Sequence, residues 1–203
     1  MDASDEDVRL MLAFQGGDDG AFDALFERWA ARLLRFLERM VRDVAVAEEL
    51  VQEAFLRVHR ARERYRPDAS FSTWLYTIAS NLARNELRRP FRRSVHESTD
   101  AEREGAPLGL ADGGPLSDDL VDARREGDRV EAALGELPER QRAALWLCAV
   151  EGLSYAEVAE ALETTEKSVK SLVHRARSAL AARMRSPGLP GDGGGPVAAD
   201  GDT

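Results

Sequence analysis

The sequence holds few of the residues on which small disulfide-bonded proteins and metalloproteins depend. Cys148 is the only cysteine, which excludes an internal disulfide and a metal site built from several cysteines. The three histidines, His59, His96 and His174, lie in different segments and predict no metal cluster. The sequence has no nucleophile motif, no paired carboxylates in a cleft-like context and no glycine-rich phosphate loop. It therefore predicts a protein that is not an enzyme and carries no metal or other cofactor.

Long apolar runs and strand-type alternation are absent as well. No stretch approaches the length of a membrane span. The acidic N-terminus, MDASDEDVRL, lacks the apolar core that a signal peptide needs. Aromatic residues make up 6% of the chain, whereas alanine, leucine, arginine and glutamate dominate, and that mixture favours helices. We expect an all-α protein in the cytoplasm.

Helical periodicity is present in two separate parts of the chain. Apolar residues recur at helical spacing through residues 19–89 and again from Arg129 to about Arg185. Between them, residues 94–128 include EGAPLGLADGGPLSDD, which lacks periodicity and is rich in glycine, proline and aspartate. The last segment, residues 186–203, is of low complexity. The pattern predicts two small helical domains joined by a flexible acidic linker, with a disordered tail.

The net charge of −9 conceals a strong segregation of charge. Ten arginines face three acids between residues 57 and 93, and residues 167–185 contain six basic residues and no acid. The predicted linker is the reverse, with ten acids and three arginines. Two basic blocks held apart by an acidic one suggest two surfaces that bind a polyanion. The alternative is solvated helix faces, which normally mix both signs.

The last third of the chain has the pattern of a helix-turn-helix. In SYAEVAEAL (154–162), Ser154 can cap a helix and Glu157 can complete a capping box. The turn ETT (163–165) follows, and then the basic stretch EKSVKSLVHRARSAL (166–180). A short helix, a tight turn and a longer basic helix are typical of DNA-binding domains that place the second helix in the major groove.

Helical phase separates the buried side of this basic helix from its exposed side. The predicted apolar stripe comprises Val169, Leu172, Val173, Ala176 and Leu180. Basic and polar residues on the other side can reach phosphates and the edges of guanines. The predicted major-groove contacts are Lys167, Ser168, Lys170, Ser171, His174, Arg175 and Arg177. A solvent-facing amphipathic helix is the alternative, and the absence of acids on this face argues against it.

The N-terminal half contains an acidic cluster in AEELVQEAFLRV (47–58). Glu48, Glu49, Gln52 and Glu53 share the polar face of one predicted helix, and the chain becomes basic after them. The helix dipole alone could explain acids early and bases late. An acidic face in the same domain as an arginine-rich face also suggests two partners of opposite charge.

A second cluster, FSTWLYTIASNLARNELRR (71–89), follows the proline-containing break RYRPDAS (64–70). It combines aromatic, amide and basic side chains, and stacking aromatics beside a basic track hold unpaired bases in single-strand-binding proteins. Taken singly, Phe71 and Trp74 fit the core better than a stacking role. The combination favours a site for a single strand.

Three of these segments together resemble the extracytoplasmic-function sigma factors of bacterial RNA polymerase. AEELVQEAFLRV, FSTWLYTIASNLARNELRR and LSYAEVAEALETTEKSVKSLVHRARSAL occur in the order and spacing of that family, and GAFDALFERWAARLLRFLERMV resembles its opening helices. The resemblance implies sigma domain 2 in residues 8–93 and sigma domain 4 in residues 129–185. It implies a sigma factor that binds core RNA polymerase, directs it to specific promoters and helps to open the DNA.

The resemblance also implies roles for individual residues. The patch that docks on the clamp helices of the polymerase β′ subunit corresponds to Glu49, Gln52, Glu53 and Leu56. The loop and helix that trap and hold the unpaired minus-ten strand correspond to Tyr65, Phe71, Trp74, Asn81, Arg84, Asn85, Arg88 and Arg89. The C-terminal domain corresponds to the reader of the minus-thirty-five element, which also contacts the β flap. The linker would run toward the RNA exit path, and an anti-sigma factor is an expected partner.

Two residues depart from the family pattern. Glu163 occupies the turn where the family usually has glycine, so a left-handed backbone there would be strained. Leu172 stands where an arginine is common in the DNA-reading helix. We expect Leu172 to extend the core and the minus-thirty-five preference to differ from that of relatives with arginine.

Two other interpretations compete with a sigma factor. A stand-alone helix-turn-helix regulator of duplex DNA would account for residues 129–185 but would leave residues 47–89 unexplained. A helical adaptor without a DNA role is disfavoured by the two basic blocks.

Overall fold

The computed structural model describes residues 3–89, 127 and 129–185. Within these residues it contains helices and no strand, which confirms the all-α fold class. The predicted tail, and the predicted linker apart from Gly127, lie outside the described residues. None of the described helices is both long enough and apolar enough to span a membrane.

Four helices form the N-terminal unit. They are α1 (Ala3–Gln15), α2 (Asp19–Val41), α3 (Val44–Ala61) and α4 (Phe71–Leu87), with a short 3-10 turn at Arg62–Arg64. Asp43 begins α3 by accepting a hydrogen bond from the Val46 N–H at 2.9 Å. Ser70 begins α4 in the same way by accepting from the Thr73 N–H at 3.2 Å. Helices α3 and α4 thus begin where a polar side chain accepts a hydrogen bond from a backbone N–H of the first turn. Helix α2 begins after a turn and has no such side-chain hydrogen bond.

The helix α1 was not predicted from the sequence, which placed the start of the domain at residue 8. It buries Met11 and Phe14 completely and packs against α2. Its buried Asp7 forms an ion pair with Arg28 of α2 at 2.8 Å. The segment is rich in acidic residues, and Met11 and Phe14 are its only fully buried apolar residues among those described. Its apolar side is therefore difficult to recognise from the sequence.

The C-terminal unit begins with a helical segment at residues 129–135. It continues with α5 (Glu139–Ala149), α6 (Tyr155–Ala161) and α7 (Glu166–Arg185). The predicted capping box at the start of α6 is confirmed, because the Ser154 side chain accepts from the Glu157 N–H while the Glu157 carboxylate accepts from the Ser154 N–H at 2.9 Å. Helices α6 and α7 both pack on α5, which gives the predicted helix-turn-helix.

The two units pack against each other along α4 and α6, and along α2 and α5. Arg32 of α2 donates from Nη2 to Glu151 Oε2 at 3.0 Å, and the Glu151 side chain is only 2% exposed. The Trp146 indole donates to the other Glu151 oxygen at 3.1 Å. Between α4 and α6, the Ser70 hydroxyl lies 3.3 Å from Glu157 Oε1. Partly buried polar contacts therefore cross the seam between the two units, beside the apolar core that both units share.

Candidate nucleic-acid interface

The exposed side of α7 is the basic surface that the sequence predicted. Val169, Leu172, Val173 and Ala176 are buried and fix the rotation of the helix. Of the seven predicted contacts, the structure exposes all but the partly buried Ser168: Lys167, Lys170, Ser171, His174, Arg175 and Arg177. The hydroxyl of Thr165 accepts from the Ser168 N–H at 3.2 Å and so satisfies the helix end. The result is a face with about two exposed cationic or polar groups on each turn from Lys167 to Arg177, on a helix that has no acid after Glu166.

Leu172 lies in the core, as the sequence predicted. Its exposed fraction is 7%, and it belongs to the same buried stripe as Val169 and Val173. A side chain at this position points into the protein and away from the exposed side of α7. The apolar residue therefore contributes to packing at a point where an arginine would have to bury its charge or leave the stripe.

Glu163 has the left-handed backbone that was expected to be strained. Its φ is 50°, in the region that glycine adopts without a steric penalty. The turn nevertheless closes with backbone hydrogen bonds from Thr164 N–H to the Ala159 carbonyl at 2.8 Å and from Glu163 N–H to the Glu160 carbonyl at 3.0 Å. The turn of this helix-turn-helix thus keeps the conformation suited to glycine while it presents a carboxylate.

The polar face of α3 brings the four predicted docking residues together. Glu49 and Gln52 are exposed, and Leu56 is a large apolar side chain with 50% of its surface exposed. Glu53 accepts from Arg57 Nε at 2.8 Å, and this hydrogen bond lowers the pKa of the Glu53 carboxyl. This face thus presents one exposed apolar side chain among acidic and amide groups.

The aromatic residues of the predicted single-strand site form one cluster at the start of α4. Trp74 packs against Tyr65 with ring centroids 5.0 Å apart and against Phe71 at 6.1 Å. Tyr65 and Phe71 are 3% and 0% exposed, and burial raises the pKa of the Tyr65 hydroxyl. Direct stacking of these two rings on a base is not available in this arrangement, because neither face is open. Trp74 is the ring of the three that is partly exposed.

The polar residues of α4 divide into two groups. Asn85, Arg88 and Arg89 are exposed near the end of the helix. Asn81 and Arg84 are partly buried and point to the other unit, where both donate to Glu163. The distances are 3.0 Å from Asn81 Nδ2 to Glu163 Oε1 and 3.3 Å from Arg84 Nη1 to Glu163 Oε2. These bonds lower the pKa of the Glu163 carboxyl, the one from Asn81 most.

Sequence reasoning missed the acids that cross between the units. Glu151, Glu157 and Glu163 follow one another at intervals of six residues, and each contacts a side chain of the N-terminal unit. No local signal could have identified these contacts, because the partner side chains lie 79 or more residues away in the chain. Among the described residues, no group of histidine, cysteine and acidic side chains could hold a metal ion.

Two family sequence models match this chain. The model described as "Sigma-70 region 2" matches residues 25–93, and the one described as "Sigma-70, region 4" matches residues 127–180. The first match covers most of α2, all of α3 and α4, and the candidate single-strand site. The second contains the helix-turn-helix.

Relatives and a solved structure agree with both matches over most of the chain. The RNA polymerase sigma-H factor of Pseudomonas aeruginosa is 34% identical over 182 residues, which is 87% of this chain and 92% of the relative. The ECF RNA polymerase sigma-E factor of Escherichia coli K12 is 34% identical over 180 residues, which is 86% of this chain and 92% of the relative. The structure of CnrH in complex with the cytosolic domain of CnrY is similar with a TM-score of 0.64 and 25% identity, and the match covers 88% of this chain and 97% of CnrH.

Proposed function

The chain belongs to the extracytoplasmic-function sigma factors of RNA polymerase, and we propose that its two helical units divide promoter recognition between them. As a member of this family it is a sigma factor, which binds core RNA polymerase and directs it to promoters. We propose residues 8–93 as sigma domain 2 and residues 129–185 as sigma domain 4, joined by residues 94–128 and followed by a tail at 186–203. The observation that carries the proposal is the match of both regions, in order, to the two helical units.

The exposed face of α3 is the proposed docking site for the clamp helices of the β′ subunit. The acidic and amide groups of Glu49, Gln52 and Glu53 would pair with basic residues of the polymerase. Leu56 would supply an apolar contact, because covering its exposed side chain on binding removes apolar surface from water. Since Glu53 already pairs with Arg57, docking must compete with that contact.

The helix α4 and the loop before it are the proposed site for the minus-ten strand. Arg88, Arg89 and Arg84 would hold phosphates, and Asn81 and Asn85 would contact the displaced strand. Trp74 is the ring best placed to stack on a base, with Tyr65 and Phe71 supporting it from the core. Unpairing a base costs a few kcal/mol, and contacts to the displaced strand offset this cost.

The basic face of α7 is the proposed reader of the minus-thirty-five element. Lys167 and Lys170 lie in the first turns of the helix, which is the end that contacts bases in helix-turn-helix complexes. Ser171, His174 and Arg177 extend the same face along the groove, with Ser168 and Arg175 at its edges. The same domain is proposed to contact the β flap.

The remaining proposals concern partners and chemistry. We propose that the protein acts in the cytoplasm, where core polymerase is found, and that it has no catalytic activity of its own, because RNA synthesis belongs to the polymerase. A protein partner of the anti-sigma type is proposed as well. The solved complex of the sigma factor RpoE of Bartonella quintana, a similar structure, with the anti-sigma factor NepR supports it.

Substitution of Leu56 tests the docking proposal. Leu56→Asp should weaken binding to core RNA polymerase by about tenfold or more, because it places a charge at the centre of the proposed contact. The matched control is Leu12→Asp, since Leu12 is also an exposed leucine, 41% accessible, but lies on α1. Affinity is measured by titrating labelled protein with core polymerase. Equal affinities of the two variants would refute the assignment of this face.

A further inference from the structure

Glu163 combines a feature that the turn requires with one that it does not. The turn places its backbone in the left-handed region, where a side chain is strained, but nothing in the turn requires its carboxylate to bind two side chains of the other domain. Arg84 Nη1 also donates to Asn81 Oδ1 at 3.0 Å, so the three groups form a closed set of hydrogen bonds. Strain that the surrounding structure maintains is a reason to look for a function of the strained residue.

The two partners of Glu163 both belong to the proposed minus-ten surface. A carboxylate and a phosphate present the same kind of acceptor to a guanidinium and to an amide N–H. We call the arrangement in which Glu163 binds Asn81 and Arg84 the closed form. In the closed form, the Glu163 carboxylate occupies the position that an acceptor on the unpaired strand would take at these two donors. The strand must therefore displace Glu163 before it can use these donors.

The contact is also weak enough to be displaced. The Glu163 side chain is 56% exposed and that of Arg84 is 21% exposed, so water and salt reach the pair. Ion pairs at such positions contribute little and are screened by salt. A DNA strand with several phosphates can compete effectively with a single carboxylate.

The other proposed surfaces stay accessible in the same arrangement. The groove-facing residues of α7 and the exposed Gln52 and Leu56 of α3 do not contact the opposite domain in any described hydrogen bond or ion pair. Asn85 and Arg88 of α4 are exposed too. The closed form thus affects one end of the minus-ten surface selectively.

From these contacts we infer that Glu163 is an intramolecular competitor of the minus-ten strand. In the closed form it withholds Asn81 and Arg84 from single-stranded DNA, while the minus-thirty-five surface and the polymerase-docking face remain available. This inference rests on the proposed assignment of α4 to the minus-ten strand. The contact between Glu163, in the turn of the helix-turn-helix, and α4 must therefore open before Asn81 and Arg84 can bind the promoter strand.

The test compares single-strand and duplex binding by the full chain. The probes are a fluorescein-labelled single strand of about twelve nucleotides with randomised sequence and a short randomised duplex, and binding is followed by fluorescence anisotropy at low salt. Glu163→Gln should tighten single-strand binding about two- to fivefold, the range that an exposed pair allows, and should change duplex binding less. Glu160→Gln is the matched control, because Glu160 is an exposed acid one turn away and its loss changes the net charge equally.

Two further variants show whether the effect runs through the proposed contact. Glu163→Gly removes the carboxylate and suits the left-handed backbone, so it should increase single-strand binding like Glu163→Gln. In an Arg84→Ala background, Glu163→Gln should give a smaller gain, because one of the two donors it releases is already absent.

The possible results separate this inference from the proposed function. Equal single-strand affinities of the wild type, Glu163→Gln and Glu160→Gln would overturn the inference and leave the minus-ten assignment standing. An equal gain from Glu160→Gln would overturn it as well, because charge alone would then explain the effect. If neither the wild type nor Glu163→Gln binds the single strand while both bind the duplex, the assignment of α4 fails and the inference fails with it.

Discussion

At the scale of single residues, Leu172 and Glu163 depart from the family pattern, and the structure accommodates them in different ways. Leu172 is accommodated by its neighbours, because it extends an apolar stripe that Val169 and Val173 already form. Glu163 is accommodated by contacts across the domain seam, since its carboxylate binds Asn81 and Arg84. Leu172 therefore affects the stability of the C-terminal unit, and Glu163 affects the contact between the two units.

Leu172→Ala should lower the free energy of unfolding by about 2–5 kcal/mol, because it removes buried methyl groups and leaves a cavity. The control is Ser178→Ala on the exposed side of the same helix, which should change the free energy by less than about 0.5 kcal/mol. Urea denaturation followed by circular dichroism measures both. A loss no larger than that of the control would mean that Leu172 does not pack in the core.

The backbone at Glu163 could be predicted from the sequence, but its partners could not. A tight turn between two helices requires a left-handed residue, and that requirement is local. Asn81 and Arg84 are 82 and 79 residues away in the chain, and nothing in their local pattern indicates the domain they meet. The altered minus-thirty-five preference expected from Leu172 stays a prediction.

At the scale of elements, short-range rules predicted most of the helices and the faces they expose. The capping box at Ser154 and Glu157 and the phase of α7 depend on residues three or four apart, and both are confirmed. The aromatic cluster at the start of α4 was harder to interpret. Periodicity could not tell a stacking ring from a core ring, and the structure buries Tyr65 and Phe71.

The capping box gives a prediction about acid stability. Hydrogen bonds from Ser154, chiefly the one from its hydroxyl, lower the pKa of Glu157 below its ordinary value of 4.5. A lowered carboxyl pKa stabilises the folded state above the ordinary pKa, and this contribution is lost as the pH falls through the lowered value. Ser154→Ala should cost about 1 kcal/mol at neutral pH, and the cost should shrink as the pH falls below 4.5 and through the lowered pKa of Glu157.

Urea denaturation of the wild type and Ser154→Ala across this pH range gives the difference in their free energies of unfolding. Because the other carboxyls titrate in both proteins, their contribution cancels in this difference. A cost that is the same at neutral and acidic pH would show that the carboxylate of Glu157 does not contribute through Ser154.

At the scale of the whole molecule, the sequence indicated two domains but not their contact. Polar residues on a helix surface are compatible with solvent, DNA or another domain, and composition alone does not choose among them. Glu151 illustrates the difficulty, because an acid next to Gly152 at a helix end resembles an exposed residue. The structure buries its side chain between Arg32 and Trp146.

The most direct test of the account is runoff transcription with core RNA polymerase freed of other sigma factors. DNA fragments from the genome that encodes the protein serve as templates. The account predicts discrete transcripts only when the protein is added, with start sites that share one pair of minus-ten and minus-thirty-five elements. Strong sequence-specific binding to duplex DNA without polymerase, together with no transcript in its presence, would contradict the account and favour a stand-alone regulator.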